Sequence, residues 1–193
     1  MNGAVDKPAL RRKVMAARDA LTRDEIRDRS LSISESLTAQ PEFMSAMTVL
    51  MYVSFRSEVS TRRMIEVALA QGKRVLVPKV DRKARWLKLY EIKDLGSDLQ
   101  TGYMGIYEPV EGVARHAEAS EADLIVMPGV GFDIHGGRLG YGGGYYDRLL
   151  ETTRQDAALV ALAFELQIVD EIPTEPHDKK VDKIITETKV ITA

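Results

Sequence analysis

The sequence contains no cysteine, which excludes a disulfide scaffold, a thiolate zinc site and a cysteine nucleophile. Its three histidines, His116, His135 and His177, do not form the spacing of a metal-binding helix, and we assign none of them to catalysis. No apolar run approaches the roughly 18 residues that span a bilayer, and the first residues lack the apolar stretch of a signal peptide. We therefore expect a cytoplasmic protein that does not interact with membranes.

An excess of charge of one sign is also missing, because 27 lysines and arginines face 29 aspartates and glutamates, for a formal net charge of -2. A chain without a net positive field is not expected to bind nucleic acid in general, so any anion site must be local. The content of 45% hydrophobic and 29% charged residues is typical of a globular protein with a core. The length favours a single domain over residues 1–193, and we expect a monomer.

The N-terminal part of the chain is predicted to be helical. A polar residue followed by a proline in the first turn indicates a helix over residues 6–21. Thr22 has the spacing of a capping box and predicts the start of a second helix. At helical spacing, Lys7, Arg11 and Arg18 fall together along the edge of the apolar stripe of the first helix. Three cations therefore border the face that is expected to pack on the core.

Short apolar runs then replace the helical pattern, at residues 49–55, 74–78, 124–128 and 158–164. Their near-continuous apolarity predicts strands that are buried on both faces, and a helical stretch between the first two implies a parallel crossover. Residues 86–92 alternate, which predicts a strand nearer a sheet edge, and residues 184–192 predict a last strand. The predicted fold class is α/β, a three-layer α/β/α domain with an open, mostly parallel sheet and an N-terminal helical segment.

The glycines are concentrated in one segment, since residues 129–144 hold eight of the 14 in the chain. Glycines allow consecutive backbone N–H groups to converge on an anion, and these lead into a helix predicted to begin near Tyr145. The segment is neither a Walker loop nor a Gly-x-Gly-x-x-Gly motif. Because Arg138 and a compact Tyr-Tyr-Asp-Arg sequence accompany the glycines, we favour a phosphate site over a flexible surface hairpin.

Several polar residues are candidates for the chemistry around this segment. A nucleotide-bound Mg²⁺ needs only one or two carboxylates, for which Asp147 and Asp182 are candidates, although an aspartate before a strand is usually a turn residue. Tyr145 and Tyr146 could stack on a flat heterocycle. Glu58 follows the first predicted strand and either contacts a ligand or merely favours the next helix start. The residues alone indicate an Mg-nucleotide enzyme with a second, flat or anionic substrate.

The segment PGVGFDIHGGRLGYGGGYYDR (128–148) resembles the signature loop of the 5-formyltetrahydrofolate cyclo-ligase family. Four other segments also resemble the family and occur in the family's order along the chain: KPALRRKV, YVSFRSEVST, MGIYEP and PHDKKVD. The resemblance therefore covers nearly the whole chain. It implies an enzyme that uses ATP and Mg²⁺ to convert 5-formyltetrahydrofolate into 5,10-methenyltetrahydrofolate, with release of ADP and phosphate. Phosphorylation of the formyl oxygen would make it a leaving group, and N10 of the folate could then close the ring.

The resemblance also implies roles for individual residues. Lys7, Arg11 and Arg138 would hold the ATP phosphates and stabilise the transferred phosphoryl group, and Asp147 and Asp182 would bind Mg²⁺. The nucleotide loop would comprise Arg138, Leu139, Gly140, Tyr141, Gly142, Gly143, Gly144, Tyr145 and Tyr146. The folate would contact Val53, Glu58, Tyr141, Gly142, Gly143, Gly144, Tyr145 and Tyr146.

Two other functions stay open at this point. One is a sugar-phosphate isomerase or a CoA-transferase-like enzyme, which would use a glycine-rich phosphate loop without consuming ATP. The other is a folate- or nucleotide-binding protein that has lost catalysis, since folds are retained when chemistry is not. A lack of ADP production would favour the first, whereas the presence of Lys7, Arg138 and Asp147 argues against the second.

Overall fold

The computed structural model describes residues 6–102, 105–173 and 179–193, so His177 and parts of the MGIYEP and PHDKKVD segments lie outside the described residues. The described helices are α1 (Lys7–Asp19), α2 (Arg23–Thr38), α3 (Pro41–Ser45), α4 (Arg62–Ala70) and α5 (Tyr145–Leu150). The described strands are β1 (Thr48–Met51), β2 (Arg74–Asp81), β3 (Trp86–Ile92), β4 (Leu99–Thr101), β5 (Tyr107–Pro109), β6 (Arg115–Ala117), β7 (Leu124–Met127), β8 (Gly131–Asp133), β9 (Arg138–Leu139), β10 (Ala158–Leu162), β11 (Ile168–Val169), β12 (Lys183–Ile185) and β13 (Val190–Thr192). No described helix is long and apolar enough to cross a membrane.

The main sheet has the strand order β13-β12-β10-β7-β1-β2-β3-β6. The five strands from β12 to β2 run parallel to one another, and β13, β3 and β6 each pair antiparallel at the two edges. All four residues of β1 and of β7 are buried, as expected for central strands covered on both faces. The predicted open, mostly parallel α/β sheet is confirmed.

Alternate residues of the central strands pack against different layers. Val49 and Met51 of β1 belong to the same core as α2, α3 and α4, whereas Leu50 belongs to the core that contains Leu149 and Leu150 of α5. Because successive side chains of a strand point to opposite faces, the helices lie on both sides of the sheet. The α1 helix packs through Val14 on a third, smaller cluster formed with the segment that follows β7.

The start of α2 and the end of α4 follow the predicted local signals. Thr22 accepts a hydrogen bond from the Glu25 N–H at 3.2 Å, and Glu25 accepts one from the Thr22 N–H at 2.9 Å, which completes the capping box of α2. Gly72, with a φ of 75°, follows the end of α4 in the left-handed region that glycine favours. These local signals set the helix boundaries within a few residues of those predicted.

Two segments differ from the prediction. The segment 184–192 is a pair of antiparallel strands, β12 and β13, because Thr186 and Lys189 close a turn between them with a 2.9 Å backbone hydrogen bond. The first half of the glycine-rich segment is also a hairpin, β8 and β9. Its turn is held by the Asp133 carboxylate, which accepts the N–H groups of His135 at 2.9 Å and Gly137 at 2.8 Å. Only the second half is therefore an open loop.

Two aspartates lie at the amino ends of the parallel strands. Asp123, just before β7, accepts the Met47 N–H at 2.9 Å and the Thr48 N–H at 2.8 Å. Asp182, just before β12, accepts the Leu159 N–H at 2.7 Å. Both carboxylates bind backbone donors at the start of a neighbouring strand, so they tie adjacent strands together at this edge of the sheet.

We expect Asp182→Ala to destabilise the fold. It leaves the Leu159 N–H without its carboxylate acceptor, which should lower the free energy of unfolding by about 1 to 2 kcal/mol. Urea denaturation measures this change. Asp170→Ala, which removes an exposed carboxylate that makes no hydrogen bond with another described residue, serves as the control and should leave stability within about 0.5 kcal/mol. Equal stability of the two variants would contradict a structural role for Asp182.

Candidate functional site

A cavity of about 330 Å³ opens at the carboxyl end of β7, where the glycine-rich loop meets α1 and the β2–β3 hairpin. Ligands of open α/β sheets bind beyond the carboxyl ends of the strands, so this is the expected location. The cavity is lined by Lys7, Arg11, Val80, Leu87, Pro128, Arg138, Leu139, Gly140, Tyr141, Gly142, Gly143, Gly144, Tyr145, Tyr146 and Asp147. It therefore brings together every residue predicted for the nucleotide loop, with Lys7 and Arg11 of the first helix.

The shape of the loop requires glycine at particular positions. Gly142 and Gly144 have φ angles of 93° and 65°, where a side chain strains the backbone. At Gly143 the reason is different, since a Cβ there would lie 2.7 Å from Cδ2 of Tyr145. The three consecutive glycines thus combine two left-handed residues with one close approach to an aromatic ring.

The α1 helix supplies the cations of one wall. Lys7 and Arg11 are four residues apart, so they lie on the same face of the helix, and both are partly buried in the cavity. The Arg11 Nε donates a hydrogen bond of 2.8 Å to the Gly140 carbonyl. Arg11 therefore both contributes positive charge to the cavity and fixes the start of the glycine run.

Arg138 and Asp147 form an ion pair across the base of the loop. The Arg138 side chain is only 6% exposed, whereas that of Asp147 is 36% exposed. The Arg138 Nε is buried without a hydrogen-bond partner in the part of the chain that the structure describes. Since a buried guanidinium donor is normally bonded, this atom is well suited to an anionic ligand.

Of the two aspartates predicted to bind Mg²⁺, the structure places only Asp147 in the cavity. Asp147 lines the cavity and could serve as one oxygen ligand of an Mg²⁺ held mainly by phosphate oxygens and water. Among the described residues no group of three or more histidine or carboxylate side chains could hold a metal alone. Asp182 is not brought to Asp147, because it lies at the amino ends of the parallel strands and binds the Leu159 N–H. We therefore assign Asp182 to holding β10 and β12 together at their amino-terminal ends, and not to the metal site.

Glu58 does not line the cavity but is joined to it through Tyr141. Its carboxylate accepts hydrogen bonds from the Tyr141 hydroxyl and, at 2.8 Å, from the Phe55 N–H. Burial raises the pKa of Glu58 above its ordinary value, although both hydrogen bonds oppose that rise. Val53, at the end of the same strand segment, lines a separate cavity of about 420 Å³ between α4 and the β4–β5 ribbon.

Arg18 is a site residue that the sequence reasoning placed beside Lys7 and Arg11 without assigning it a role. It is only 3% exposed, and its Nη1 donates a hydrogen bond of 2.9 Å to the Tyr141 hydroxyl. Its position along the same helix edge was the available signal. What the sequence could not supply was the long-range contact, since Tyr141 is 123 residues further along the chain.

The two tyrosines after the glycines have different environments. The Tyr146 hydroxyl is buried without a partner among the described residues, and burial raises its pKa well above the ordinary value. The Tyr145 ring lies beside the Arg148 guanidinium, with 5.4 Å from Cζ to the ring centroid. Arg148 in turn donates to the carbonyls of Gly143 and Arg85, both at 2.9 Å. It therefore connects the loop to the β2–β3 hairpin.

The arrangement as a whole favours a polyphosphate. Three cations, a glycine-rich backbone and one carboxylate surround a cavity whose other lining residues are apolar or tyrosine. Phosphoryl transfer depends on such positioning and charge neutralisation more than on covalent help from the protein.

Comparisons with known proteins find relatives that match nearly the whole chain. A sequence model of the 5-formyltetrahydrofolate cyclo-ligase family matches residues 4–187. The 5-formyltetrahydrofolate cyclo-ligase of Mus musculus is 30% identical over 94% of this chain and 93% of its own length. The NMR structure of 5,10-methenyltetrahydrofolate synthetase from Aquifex aeolicus aligns with a TM-score of 0.84 and 34% identity, over 96% of this chain and 92% of that one. The synthetase from Mycoplasma pneumoniae shares the fold, with a TM-score of 0.77 and 24% identity over 95% and 99% of the two chains. The chain therefore belongs to the 5-formyltetrahydrofolate cyclo-ligase family.

Proposed function

We propose that this protein converts 5-formyltetrahydrofolate into 5,10-methenyltetrahydrofolate at the expense of ATP, with Mg²⁺, and releases ADP and phosphate. The observation that carries the proposal is the cavity in which Lys7, Arg11 and Arg138 surround the glycine-rich loop. Family membership supplies the substrate class, and the charges of the cavity supply the reason for a nucleotide triphosphate.

The ATP phosphates are proposed to bind along the loop. Backbone N–H groups at Gly142 and Gly144 become available to an anion because their left-handed φ angles turn the chain. Lys7 and Arg11 would neutralise the phosphates from the α1 side. Arg138 would donate to the phosphates through its Nε, which has no hydrogen-bond acceptor among the described residues. These contacts would use charge-assisted hydrogen bonds, the strong class for phosphate recognition.

An Mg²⁺ ion bound with ATP fits the residues present, since one carboxylate is sufficient when phosphates and waters supply the other ligands. Asp147 would be that carboxylate. The ion would neutralise charge that develops on the transferred phosphoryl group. The same carboxylate also forms an ion pair with Arg138.

The folate is proposed to bind on the side of the loop that faces Glu58. Its pterin carries N–H groups that a carboxylate can accept, and Tyr141, which is 47% exposed, offers a ring edge beside that carboxylate. Val53 and the cavity of about 420 Å³ that it lines would continue the site away from the phosphates. Tyr145 and Tyr146 would separate the two ligands.

The proposed reaction places the protein in a positioning role. An N-formyl group is amide-like and reacts poorly, so transfer of the γ-phosphoryl group to its oxygen creates a leaving group. N10 of the folate can then attack the formyl carbon, which closes the five-membered ring. Loss of the N10 proton and expulsion of phosphate then give the methenyl product. Arg138, Lys7 and Arg11 would stabilise the charge on the transferring phosphoryl, and the protein needs no nucleophile of its own.

The test of this function is an absorbance assay for methenyltetrahydrofolate formation with ADP measured in parallel. We expect one ADP for each methenyl product. Product without ADP, or ADP without product, would contradict the proposal. A sugar-phosphate isomerase would instead need a free acid–base pair, whereas the one carboxylate among the lining residues of the described cavity is already paired with Arg138.

We expect Asp147→Asn to weaken the use of Mg²⁺ with little effect on folate binding. The loss of one charged contact, about 1.5 to 3 kcal/mol, corresponds to a rise of roughly 10- to 100-fold in the half-saturating Mg²⁺ concentration. A magnesium titration of turnover measures this. Glu151→Gln, at an exposed carboxylate just after α5, is the control and should match the wild type. An unchanged magnesium titration for Asp147→Asn would remove this residue from the site.

We expect Gly142→Ala to abolish ATP use while the protein stays folded. An alanine at a φ of 93° costs roughly 1 to 2 kcal/mol, and relief of that strain would turn the loop N–H groups away from the phosphates. Gly72→Ala, at a φ of 75° with open space around it, carries a similar strain far from the cavity. Thermal melting with and without Mg-ATP should show a ligand-induced shift only for the wild type and Gly72→Ala. A normal shift in Gly142→Ala would mean that the loop does not bind phosphate.

A further inference from the structure

The buried guanidinium of Arg18 connects α1 to two different loops. Its Nη1 donates to the Tyr141 hydroxyl at 2.9 Å, and its Nε donates to the Ser57 hydroxyl at 3.1 Å. Ser57 is adjacent to Glu58, and Tyr141 donates to the Glu58 carboxylate. Arg18 therefore contacts the neighbour of Glu58 in sequence and also its hydrogen-bond partner in space.

The chemistry of these groups fixes the direction of every hydrogen bond. A guanidinium has no acceptor, so the Tyr141 oxygen must accept from Arg18. The single proton of that hydroxyl is then available only to Glu58, whose Oε1 accepts it. The Phe55 N–H occupies the other carboxylate oxygen at 2.8 Å. Both oxygens of Glu58 thus act as acceptors, which is the arrangement of an ionised carboxylate.

The second branch has the same direction. The Ser57 hydroxyl accepts from Arg18 and donates its proton to the Asp19 carboxylate. This branch holds the loop between β1 and α4 beside Arg56, whose φ of 51° is unusual for a residue other than glycine. A loop in that conformation persists only when its surroundings hold it, and Arg18 supplies one of the buried contacts that do so.

Tyr141 belongs to the same loop that the α1 helix holds through Arg11 at Gly140. The two arginines are seven residues apart, so they lie two turns apart on one side of the helix. One turn of the loop is therefore fixed to α1 at adjacent residues, on the phosphate side by Arg11 and on the Glu58 side by Arg18. Removal of the Arg18 guanidinium would free Tyr141 and the Glu58 carboxylate together.

We propose that Arg18 is a positioning residue for the folate side of the site, which holds Glu58 as an oriented acceptor by directing the Tyr141 proton to it. The proposal rests on the function proposed above. Arg18 itself lines neither the cavity at the glycine-rich loop nor the one beside Val53. Its role predicts a loss of folate recognition that passes through Tyr141 and leaves the binding of ATP by the other side of the loop nearly unchanged.

The kinetic test compares Arg18→Met, Tyr141→Phe and the double variant, with both substrates varied. Each single change should raise the KM for 5-formyltetrahydrofolate roughly tenfold or more, the effect of one hydrogen bond to a charged group, and change the KM for ATP less than twofold. Because both changes break the same chain of hydrogen bonds, the double variant should be no worse than the worse single variant. Multiplied effects, or an unchanged folate KM in Tyr141→Phe, would overturn the proposal.

A matched control is available on the same helix. Arg12→Met removes an arginine of α1 that is exposed and lies outside the cavity, and it should leave both KM values within twofold of the wild type. Tyr141→Phe removes only one hydroxyl from a half-exposed side chain, so it should fold even if Arg18→Met does not. An effect of Arg12→Met equal to that of Arg18→Met would overturn the proposal, since it would reflect general damage to α1.

A measurement without substrate separates this proposal from the proposed function. Amide hydrogen exchange on the protein alone should show faster exchange at Ser57, Glu58 and residues 140–144 in Arg18→Met than in Arg12→Met. Unchanged protection in those segments would overturn the positioning role whatever the enzyme's activity. If the wild type forms no methenyltetrahydrofolate while the exchange difference is present, the function is wrong and the role of Arg18 in organising the loops is retained.

Discussion

Three arginines from outside the glycine run hold the loop backbone on which the site depends. Arg11 binds the Gly140 carbonyl, Arg148 binds the Gly143 carbonyl, and Arg18 binds the Tyr141 side chain between them. Glycines cannot hold their own conformation through side-chain packing, and they lose more entropy on folding than other residues do. The loop therefore keeps its shape through contacts supplied by α1 and α5, and α1 also carries two cations of the cavity, Lys7 and Arg11.

The protein has a net charge of -2 but presents a cavity with three cations and one carboxylate. The charge is local, and the buried cations are balanced individually: Arg138 by Asp147, and Arg18 through two hydroxyls by Glu58 and Asp19. The Arg138–Asp147 pair still leaves the Arg138 Nε without a hydrogen-bond partner among the described residues. Burial of a charge without such a partner would be costly.

The fold could be predicted from the sequence because its local signals agreed with one another. The capping box at Thr22 and the glycine that ends α4 set helix boundaries through interactions within a few residues, and the apolar runs indicated the buried central strands by their composition. The hairpin inside the glycine-rich segment was not predicted, because its stability comes from Asp133, which also accepts the distant Ile172 N–H at 2.8 Å. The role of Arg18 was missed for the same reason, since its partners at Ser57 and Tyr141 come from distant parts of the chain.

The two aspartates proposed for the metal illustrate what topology adds to a motif. Both precede a regular element or lie at its start, and neither spacing nor residue type distinguishes them. Strand direction does, because a residue just before a parallel strand lies at the amino edge of the sheet, whereas ligands bind beyond the carboxyl edge. Asp182 precedes β12 and binds a backbone N–H of β10 at that amino edge, while Asp147 follows the loop that leaves the carboxyl end of β7. The predicted parallel sheet already contained this distinction, and it assigns the two carboxylates to different tasks before any side-chain contact is considered.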